Sequence, residues 1–289
     1  MPKFSSTVFI KISLFALLLA GIYHSTFTYL INTDWARDEF SYCYLIPFVV
    51  VYLIWDKREQ LSTLPSVPSW KGMIAFAPGL FLFWLGELGG EYFTLYVSFW
   101  LVVVGLLWFH LGWKKIKTIA FALFMALTMF PPPNFLYTKI SVKLQLISSQ
   151  LGTSLIRFYG MPAHREGNII DLGFAQLQVV EACSGLQSLM SLTVLGLLVA
   201  YLFRAPLWKR ALLLCSTLPL SVFANSIRLA LTGIFSEIWG TKVADGFIHG
   251  FSGLVIFVFA LAILLLEMWI LGKIPPVKAR IFVTPNSGQ

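Results

Sequence analysis

The chain has 289 residues, of which 58% are hydrophobic and only 12% are charged. This composition excludes an ordinary soluble domain and predicts an integral membrane protein that crosses the bilayer several times. The net charge of +8 would suit a nucleic-acid partner. However, the Lys and Arg residues occur in short clusters between apolar runs, which argues against nucleic-acid binding and is typical of cytoplasmic loops.

Apolar runs near the roughly 20 residues needed to cross the hydrocarbon core predict an all-α bundle of about eight transmembrane helices. Their approximate ranges are 8–31, 40–55, 72–90, 92–111, 116–132, 181–203, 210–234 and 247–271. The first run is long enough to span and lacks a small-residue cleavage site before the next polar loop. We therefore expect a retained first helix.

The charges between these runs predict the orientation of the chain. With eight spans, the segments on the same side as both termini hold 14 of the 21 Lys and Arg residues, and the segments and helix ends on the other side hold ten of the 13 acidic residues. The positive-inside rule then predicts cytoplasmic N- and C-termini.

Residues 131–160, between the fifth and sixth runs, are apolar enough to be mistaken for a further span. One predicted face carries basic and polar residues: Lys139, Lys143, Gln150, Ser154 and Arg157. The opposite face is apolar: Ile140, Leu144, Ile147, Leu151 and Leu155. This pattern predicts an amphipathic helix lying in the membrane interface. A spanning helix would instead move Arg204, Lys209 and Arg210 to the outer side, which the positive-inside rule disfavours.

The next segment, HREGNIIDLGFAQLQVVEACSG at 164–185, contains Gly and Asn residues typical of turns, and polar and apolar residues alternate near its end. These features predict a small hairpin-like cap on the outer surface. The cap leads directly into the sixth span, so Glu181 and Cys183 are expected near the outer end of that helix.

Three reactive side chains are predicted to lie at one membrane depth. Cys183 opens the sixth span, Arg228 lies near the outer end of the seventh, and His249 opens the eighth. A thiolate can attack a carbonyl, an imidazole can shuttle protons and a guanidinium can stabilise an oxyanion. Because ionisable groups inside spans are costly, their common depth favours acyl transfer through a thioester. A small buried Cys, a snorkelling Arg and an inert loop His stay open as the alternative.

Other reactive residues give weaker signals. Cys215 is expected to be a packing residue, and Cys43 could form a disulfide with Cys183 in an oxidising compartment. His164 with Glu166 is a rival base or metal pair, although no HExxH motif is present. Ser184 is a rival nucleophile without the preceding Gly of a G-x-S-x-G motif. We predict neither a metal nor an organic cofactor.

Three short motifs in this order resemble those of the exosortase/archaeosortase family of membrane cysteine transpeptidases. EACSG at Glu181–Gly185 is similar to the family's Cys motif, NSIR at Asn225–Arg228 to its N-x-x-R motif, and His249 with Gly250 to its His motif. The resemblance covers about Trp35 to Leu271, including DEFSYCYLIPFVVVYLIWDKR at 38–58. This chain departs from the family's frequent residues at three positions, which leaves the subfamily and its substrate open: Tyr42, Cys43 and Gln187.

The resemblance implies that Cys183, Arg228 and His249 are the catalytic residues. We expect Glu181, Ser184 and Asn225 to support them, within one domain at 1–289 whose catalytic core is about 160–271. The implied partners, besides membrane lipid, are exported proteins with a C-terminal tail of a short signature such as Pro-Glu-Pro, a hydrophobic helix and a basic end. The enzyme would lie in the bacterial inner membrane, cut this tail at the outer face and transfer the new carboxyl end to an acceptor.

Two other functions fit parts of the pattern. The chain could be a transporter or a scaffold component of polysaccharide export, with its buried polar groups lining a solute path. It lacks the paired, Gly- or Pro-broken helices in matching halves that mark many transporter sites. Acyl transfer to an acceptor other than a protein is the second alternative.

Overall fold

The computed structural model describes residues 6–180, 184–240 and 247–275, without the side chains of residues 6–9, 11–12 and 247–252. The chain divides into two compact units, residues 1–138 and 139–289. Nearly all of its regular structure is helical, which confirms the predicted class of membrane-embedded helical protein. The prediction of a single domain stays a prediction.

The first unit contains eight α-helices among its described residues. They are α1 (Ser6–Ile22), α2 (His24–Tyr29), α3 (Ile46–Asp56), α4 (Arg58–Thr63), α5 (Met73–Gly89), α6 (Tyr92–Leu111), α7 (Trp113–Thr118) and α8 (Ala120–Leu127). A π-helical turn, Leu30–Asp34, and two 3₁₀ segments, Asp38–Leu45 and Trp70–Gly72, extend or precede these helices. Helices α5 and α6 pack closely through glycine, since a Cβ at Gly105 would lie 2.6 Å from the backbone nitrogen of Phe76.

The second unit carries the segments predicted to form the site. Its elements are α9 (Asn134–Phe158, which begins in the first unit), β1 (His164–Glu166), β2 (Ile169–Asp171), β3 (Gln176–Gln178), α10 (Leu186–Leu202), α11 (Leu207–Trp239) and α12 (Phe247–Lys273). Helix α11 packs against both α10 and α12.

Five helical segments in the described part are long and apolar enough to cross a membrane: Asp38–Asp56, Trp70–Gly89, Tyr92–Leu111, Leu207–Trp239 and Gly253–Lys273. The pair Ser13–Ile22 and His24–Asp34, bent by 72°, makes a sixth if it acts as one span. The predicted count of eight is therefore not confirmed. Two predicted spans fall on short helices, because 116–132 is divided between α7 and α8 and α10 has only 17 residues.

Helix α9 has 25 residues and is not among the helices apolar enough to span. Its exposed surface includes Ile147 and Leu151 as well as Lys139 and Lys143, in agreement with an amphipathic helix. Leu144 is buried as the prediction expects, but the buried face of α9 also carries a row of polar side chains that was not predicted: Ser141, Gln145, Ser148, Ser149 and Thr153.

The segment after α9 forms a three-stranded antiparallel sheet in the order β1-β2-β3 instead of a single hairpin. Residues 167 and 168 connect β1 to β2, because Glu166 pairs with Ile169. The apolar side of the sheet joins a core with the end of α9 and the distal part of α11: Ile156, Met161, Ile170, Leu172, Val179, Leu229 and Ala230.

Helix α11 is longer than predicted. It has 33 residues and ends at Trp239, whereas the predicted span ends near residue 234. At 1.5 Å per residue its length is about 50 Å, which exceeds the roughly 30 Å of the hydrocarbon core. This part of α11 packs on α9 and β3, since a Cβ at Gly233 would lie 3.1 Å from Cδ1 of Ile156 and 3.4 Å from Cδ1 of Leu177. One helix therefore belongs to both the bundle and the sheet core.

Candidate active site

The predicted catalytic residues lie on three parts of the second unit. Glu181 and Cys183 lie outside the described residues, between Val180 and Ser184. The backbone of His249 belongs to α12, but its side chain is not described. Arg228 is described in α11. The described part of the site therefore consists of Arg228 and the residues that flank Cys183 and His249.

Gly185 brings the Cys motif into direct contact with α11. It has a φ of +83°, and a Cβ there would lie 2.7 Å from Cγ of Asn225. Only glycine combines this left-handed backbone with so close an approach. The residue two positions after Cys183 therefore packs on the Asn of the N-x-x-R motif.

Asn225 and Arg228 lie three residues apart in α11 and so occupy neighbouring positions on one helical face. Asn225 is 3% exposed, and its Nδ2 donates a hydrogen bond to Oγ of Ser148 over 3.1 Å. Arg228 is half-buried. The N-x-x-R motif thus lies next to the backbone that follows Cys183.

The guanidinium group of Arg228 also reaches α12. A Cβ at Gly253 would lie 3.4 Å from Cζ and 3.6 Å from Nε of Arg228. Gly253 follows His249 by four residues, which is about one turn along the same helical face. The second unit therefore brings the Arg motif within one helical turn of the His motif.

Ser184 has a structural environment in the described residues. It is 1% exposed, its Oγ accepts a hydrogen bond from the backbone N–H of Leu186, and its carbonyl oxygen accepts one from Oγ of Ser148. These bonds join the start of α10 to α9. This burial argues against Ser184 as the nucleophile that attacks substrate.

The polar buried face of α9 is the part of the site that the sequence prediction missed. Ser148 contacts both Ser184 and Asn225, and Asn168 donates to the Val179 carbonyl oxygen over 3.0 Å. The signal was the spacing of Ser141, Gln145, Ser148 and Ser149 at helical intervals. Ser and Gln side chains are less polar than Lys and Arg, so the contrast between basic and apolar residues dominates the sequence pattern of α9.

A comparison with protein families identifies the chain on independent grounds. The family model of the transmembrane exosortases (Exosortase_EpsH) matches residues 35–266, which is well over half of the chain. The chain belongs to the transmembrane exosortase family. Comparisons with curated proteins and with solved structures gave no match. The family match confirms the resemblance drawn from the three motifs, and the matched region contains all three of them.

The other reactive residues of this exosortase have distinct surroundings. Cys43 is buried, with its Sγ 3.9 Å from the Thr128 carbonyl oxygen, whereas Cys215 is exposed on α11. His164 and Glu166 on β1 lie 3.8 Å apart with 72% and 84% of their side chains exposed, a surface pair of small energetic value. The disulfide considered between Cys43 and Cys183 involves a residue outside the described part and stays a prediction.

Proposed function

We propose that this exosortase is a membrane cysteine transpeptidase that removes the C-terminal sorting tail of exported proteins. Cys183 is the nucleophile, Arg228 stabilises the oxyanion, and His249 transfers protons. The observation that carries the proposal is the packing of Arg228 against Gly253, one helical turn from His249, together with the contact of Gly185 with Asn225. These contacts support a common site for three motifs that are far apart in the sequence.

The reaction proceeds in two steps. The His249 imidazole first takes the thiol proton, and the Cys183 thiolate attacks the carbonyl carbon of the scissile peptide bond. The Arg228 guanidinium stabilises the oxyanion. The C–N bond then breaks, the imidazolium protonates the leaving amine, and the substrate's carboxyl end remains on sulfur as a thioester.

An acceptor nucleophile completes the transfer. It loses a proton to His249 as it attacks the thioester carbonyl, and the carbon–sulfur bond breaks to release Cys183. With an amine acceptor the product is a new amide, and with water it is a free carboxylate. Asn225 and Glu181 orient the catalytic groups, and Ser184 holds the start of α10.

The proposed substrate is an exported protein whose tail has a short signature, an apolar helix and a basic end. The apolar helix would lie in the bilayer against α10, α11 and α12, where the small residues Gly250 and Ser252 of the sequence would allow close approach. The signature would then meet Cys183 at the outer face. Family membership supports exported proteins as the substrate class.

We also propose eight crossings of a bacterial inner membrane with both termini in the cytoplasm. Each predicted apolar run overlaps a helix of the structure. In the second unit, the Lys209 ammonium donates to the Leu271 carbonyl oxygen over 2.7 Å, so the start of α11 lies beside the end of α12. That end also carries Lys273, and its positive charge supports a cytoplasmic position. The sheet and Arg228 lie toward the opposite end of α11.

Cleavage in cells tests the proposed chemistry. A tagged protein with a tripartite tail is co-expressed with the native enzyme or with Cys183→Ala, Cys183→Ser, Arg228→Ala or His249→Ala. Tail removal is followed by gel mobility and mass. We expect Cys183→Ala to abolish cleavage and Arg228→Ala to lower its rate about 100-fold or more. Cys215→Ala and His164→Ala are matched controls that remove the same groups elsewhere in the second unit.

Three outcomes would contradict the proposal. Full cleavage by Cys183→Ala would show that Cys183 is not the nucleophile. Full cleavage by His249→Ala, together with loss of cleavage by His164→Ala, would show that His164 on β1 is the base. Absence of cleavage by the native enzyme over a panel of tail signatures would eliminate tail removal, and measurement of solute flux in proteoliposomes would then test the transport alternative.

A further inference from the structure

Helix α9 carries a buried row of hydrogen-bonding side chains that faces the segment around Cys183. Ser148 is fully buried, and its Oγ accepts from Asn225 Nδ2 at 3.1 Å and donates to the Ser184 carbonyl oxygen at 3.4 Å. These two bonds use the hydroxyl as both acceptor and donor. The residue after Cys183 is thereby attached to α9, and α9 to the N-x-x-R motif.

A second attachment lies on the other side of Cys183. The Asn168 carbonyl oxygen accepts a 2.9 Å hydrogen bond from the Val179 N–H, and Asn168 Nδ2 donates to the Val179 carbonyl oxygen at 3.0 Å. Both backbone groups of Val179, four residues before Cys183, are therefore held by one residue.

Helix α9 also supports Asn168 itself. The second N–H of its side-chain amide points to Oε1 of Gln145 at 3.5 Å, and Gln145 Nε2 donates to Oγ of Ser141 at 3.3 Å. Oγ of Ser149 donates to the Gly167 carbonyl oxygen at 3.1 Å. The turn between β1 and β2 is thus anchored on the same helical face that holds Ser184.

We infer that Ser148 and Asn168 are positioning residues that clamp the chain at Ser184 and Val179, on the two sides of Cys183, and that Ser148 also holds the start of α10 beside Asn225. The inference rests on the proposed function for its link to catalysis, because a nucleophile must be held near its attack geometry. The clamp itself consists of the hydrogen bonds at Val179 and Ser184, which exist whatever the catalytic role of the site. Buried hydroxyl and amide groups suit this task, since an unmade bond in such a place is costly.

The experiment combines hydrogen exchange with kinetics on the full-length protein in lipid nanodiscs. The variants are Ser148→Ala, which removes the hydroxyl, and Asn168→Asp, which keeps the size and the backbone bond but removes the amide donor. Ser154→Ala is the matched control, because its exposed hydroxyl bonds to the Gln150 carbonyl oxygen of the same helix. Amide exchange is measured for the peptide spanning 179–186 and for peptides of α9, α10 and α11.

We expect exchange in the 179–186 peptide to be about fivefold faster in each of the two variants, the change that losing one net hydrogen bond produces. Exchange in the helices and in Ser154→Ala should stay unchanged. Unchanged exchange at 179–186 in both variants would overturn the inference. An equal acceleration throughout α9, α10 and α11 would also overturn it, because the residues would then serve general packing.

The kinetic readout separates positioning from substrate binding. With a tail peptide as substrate, Ser148→Ala should lower kcat about tenfold or more while KM stays within about twofold, because the clamp acts on the nucleophile. Ser148→Thr, which restores a hydroxyl, should recover part of that loss. A raised KM with unchanged kcat would contradict the inference. Failure of the native enzyme to cleave would count against the proposed function, and the exchange experiment would still decide whether the clamp exists.

Discussion

Gly253 of α12 lies against the guanidinium group of Arg228, with 3.4 Å between its ideal Cβ position and Cζ. This distance is ordinary van der Waals contact, so alanine fits, whereas the two methyl groups of valine add bulk beside the guanidinium. We predict that Gly253→Ala keeps cleavage within about threefold of the native rate, whereas Gly253→Val displaces the guanidinium and lowers the rate about tenfold or more. The measurement is the initial rate of tail removal at equal membrane levels. Ala262→Val, at an exposed position of α12, is the control, and an active Gly253→Val would argue against the catalytic position of Arg228.

Gly185 should tolerate alanine poorly for two separate reasons. Its φ is +83°, and a Cβ would collide with Asn225 at 2.7 Å. Gly173 isolates the first reason, because it has a φ of +82° with open space around it. We predict that Gly173→Ala costs about 1 kcal/mol of unfolding free energy, and that Gly185→Ala costs more and lowers cleavage. Thermal unfolding in detergent and cleavage assays check this, and equal effects of the two substitutions would show that the contact with Asn225 is unimportant.

Lys209 is 3% exposed, and its ammonium group donates to the carbonyl oxygens of Leu271 and Ile274. These carbonyls lie at the end of α12, where helical partners are absent. We predict that Lys209→Met destabilises the protein by about 1–3 kcal/mol, seen as a lower unfolding temperature. Lys114→Met removes the same charge from an exposed position and should change the unfolding temperature little. A similar fall in both variants would assign the effect to charge and not to the buried hydrogen bonds.

The proposed orientation can be tested with cysteine labelling in intact cells. Glu166→Cys in β1 should react with a membrane-impermeant maleimide, because we propose that the sheet faces outward. Glu59→Cys in α4 should react only after permeabilisation, since the basic residues near it favour the cytoplasm. Native protein, with Cys43, Cys183 and Cys215, supplies the background signal. The reverse pattern of labelling would invert the proposed topology and move the site to the cytoplasmic face.

Much of the helical organisation could be predicted because apolar runs of spanning length are a strong signal. The lengths of individual helices could not. The apolar run at 116–132 continues through residues that the structure divides between α7 and α8, and α10 ends after 17 residues. Helix α11 continues beyond its predicted end just after Leu229, Ala230 and Gly233, which pack on the sheet core, and that stabilisation is tertiary.

The sheet and the α9 face were harder to predict from local patterns. Each strand has only three residues, too few for a clear alternation, so one hairpin was expected where three strands occur. The buried row on α9 reverses the soluble pattern, because lipid favours apolar residues outside and leaves polar groups to pair within. Its partners are also remote, since 36 residues separate Ser148 from Ser184 and 77 separate it from Asn225.

The length of α11 has a consequence for substrate choice under the proposed function. Lys209 and Arg228 are separated by 19 positions of one helix, or about 28 Å, which is close to the thickness of the hydrocarbon core. A substrate tail lying alongside, with its basic end level with Lys209, presents its signature to Arg228 only if its apolar stretch has a similar length. The distance between Lys209 and Arg228 would then select tails by the length of their apolar stretch as well as by their signature.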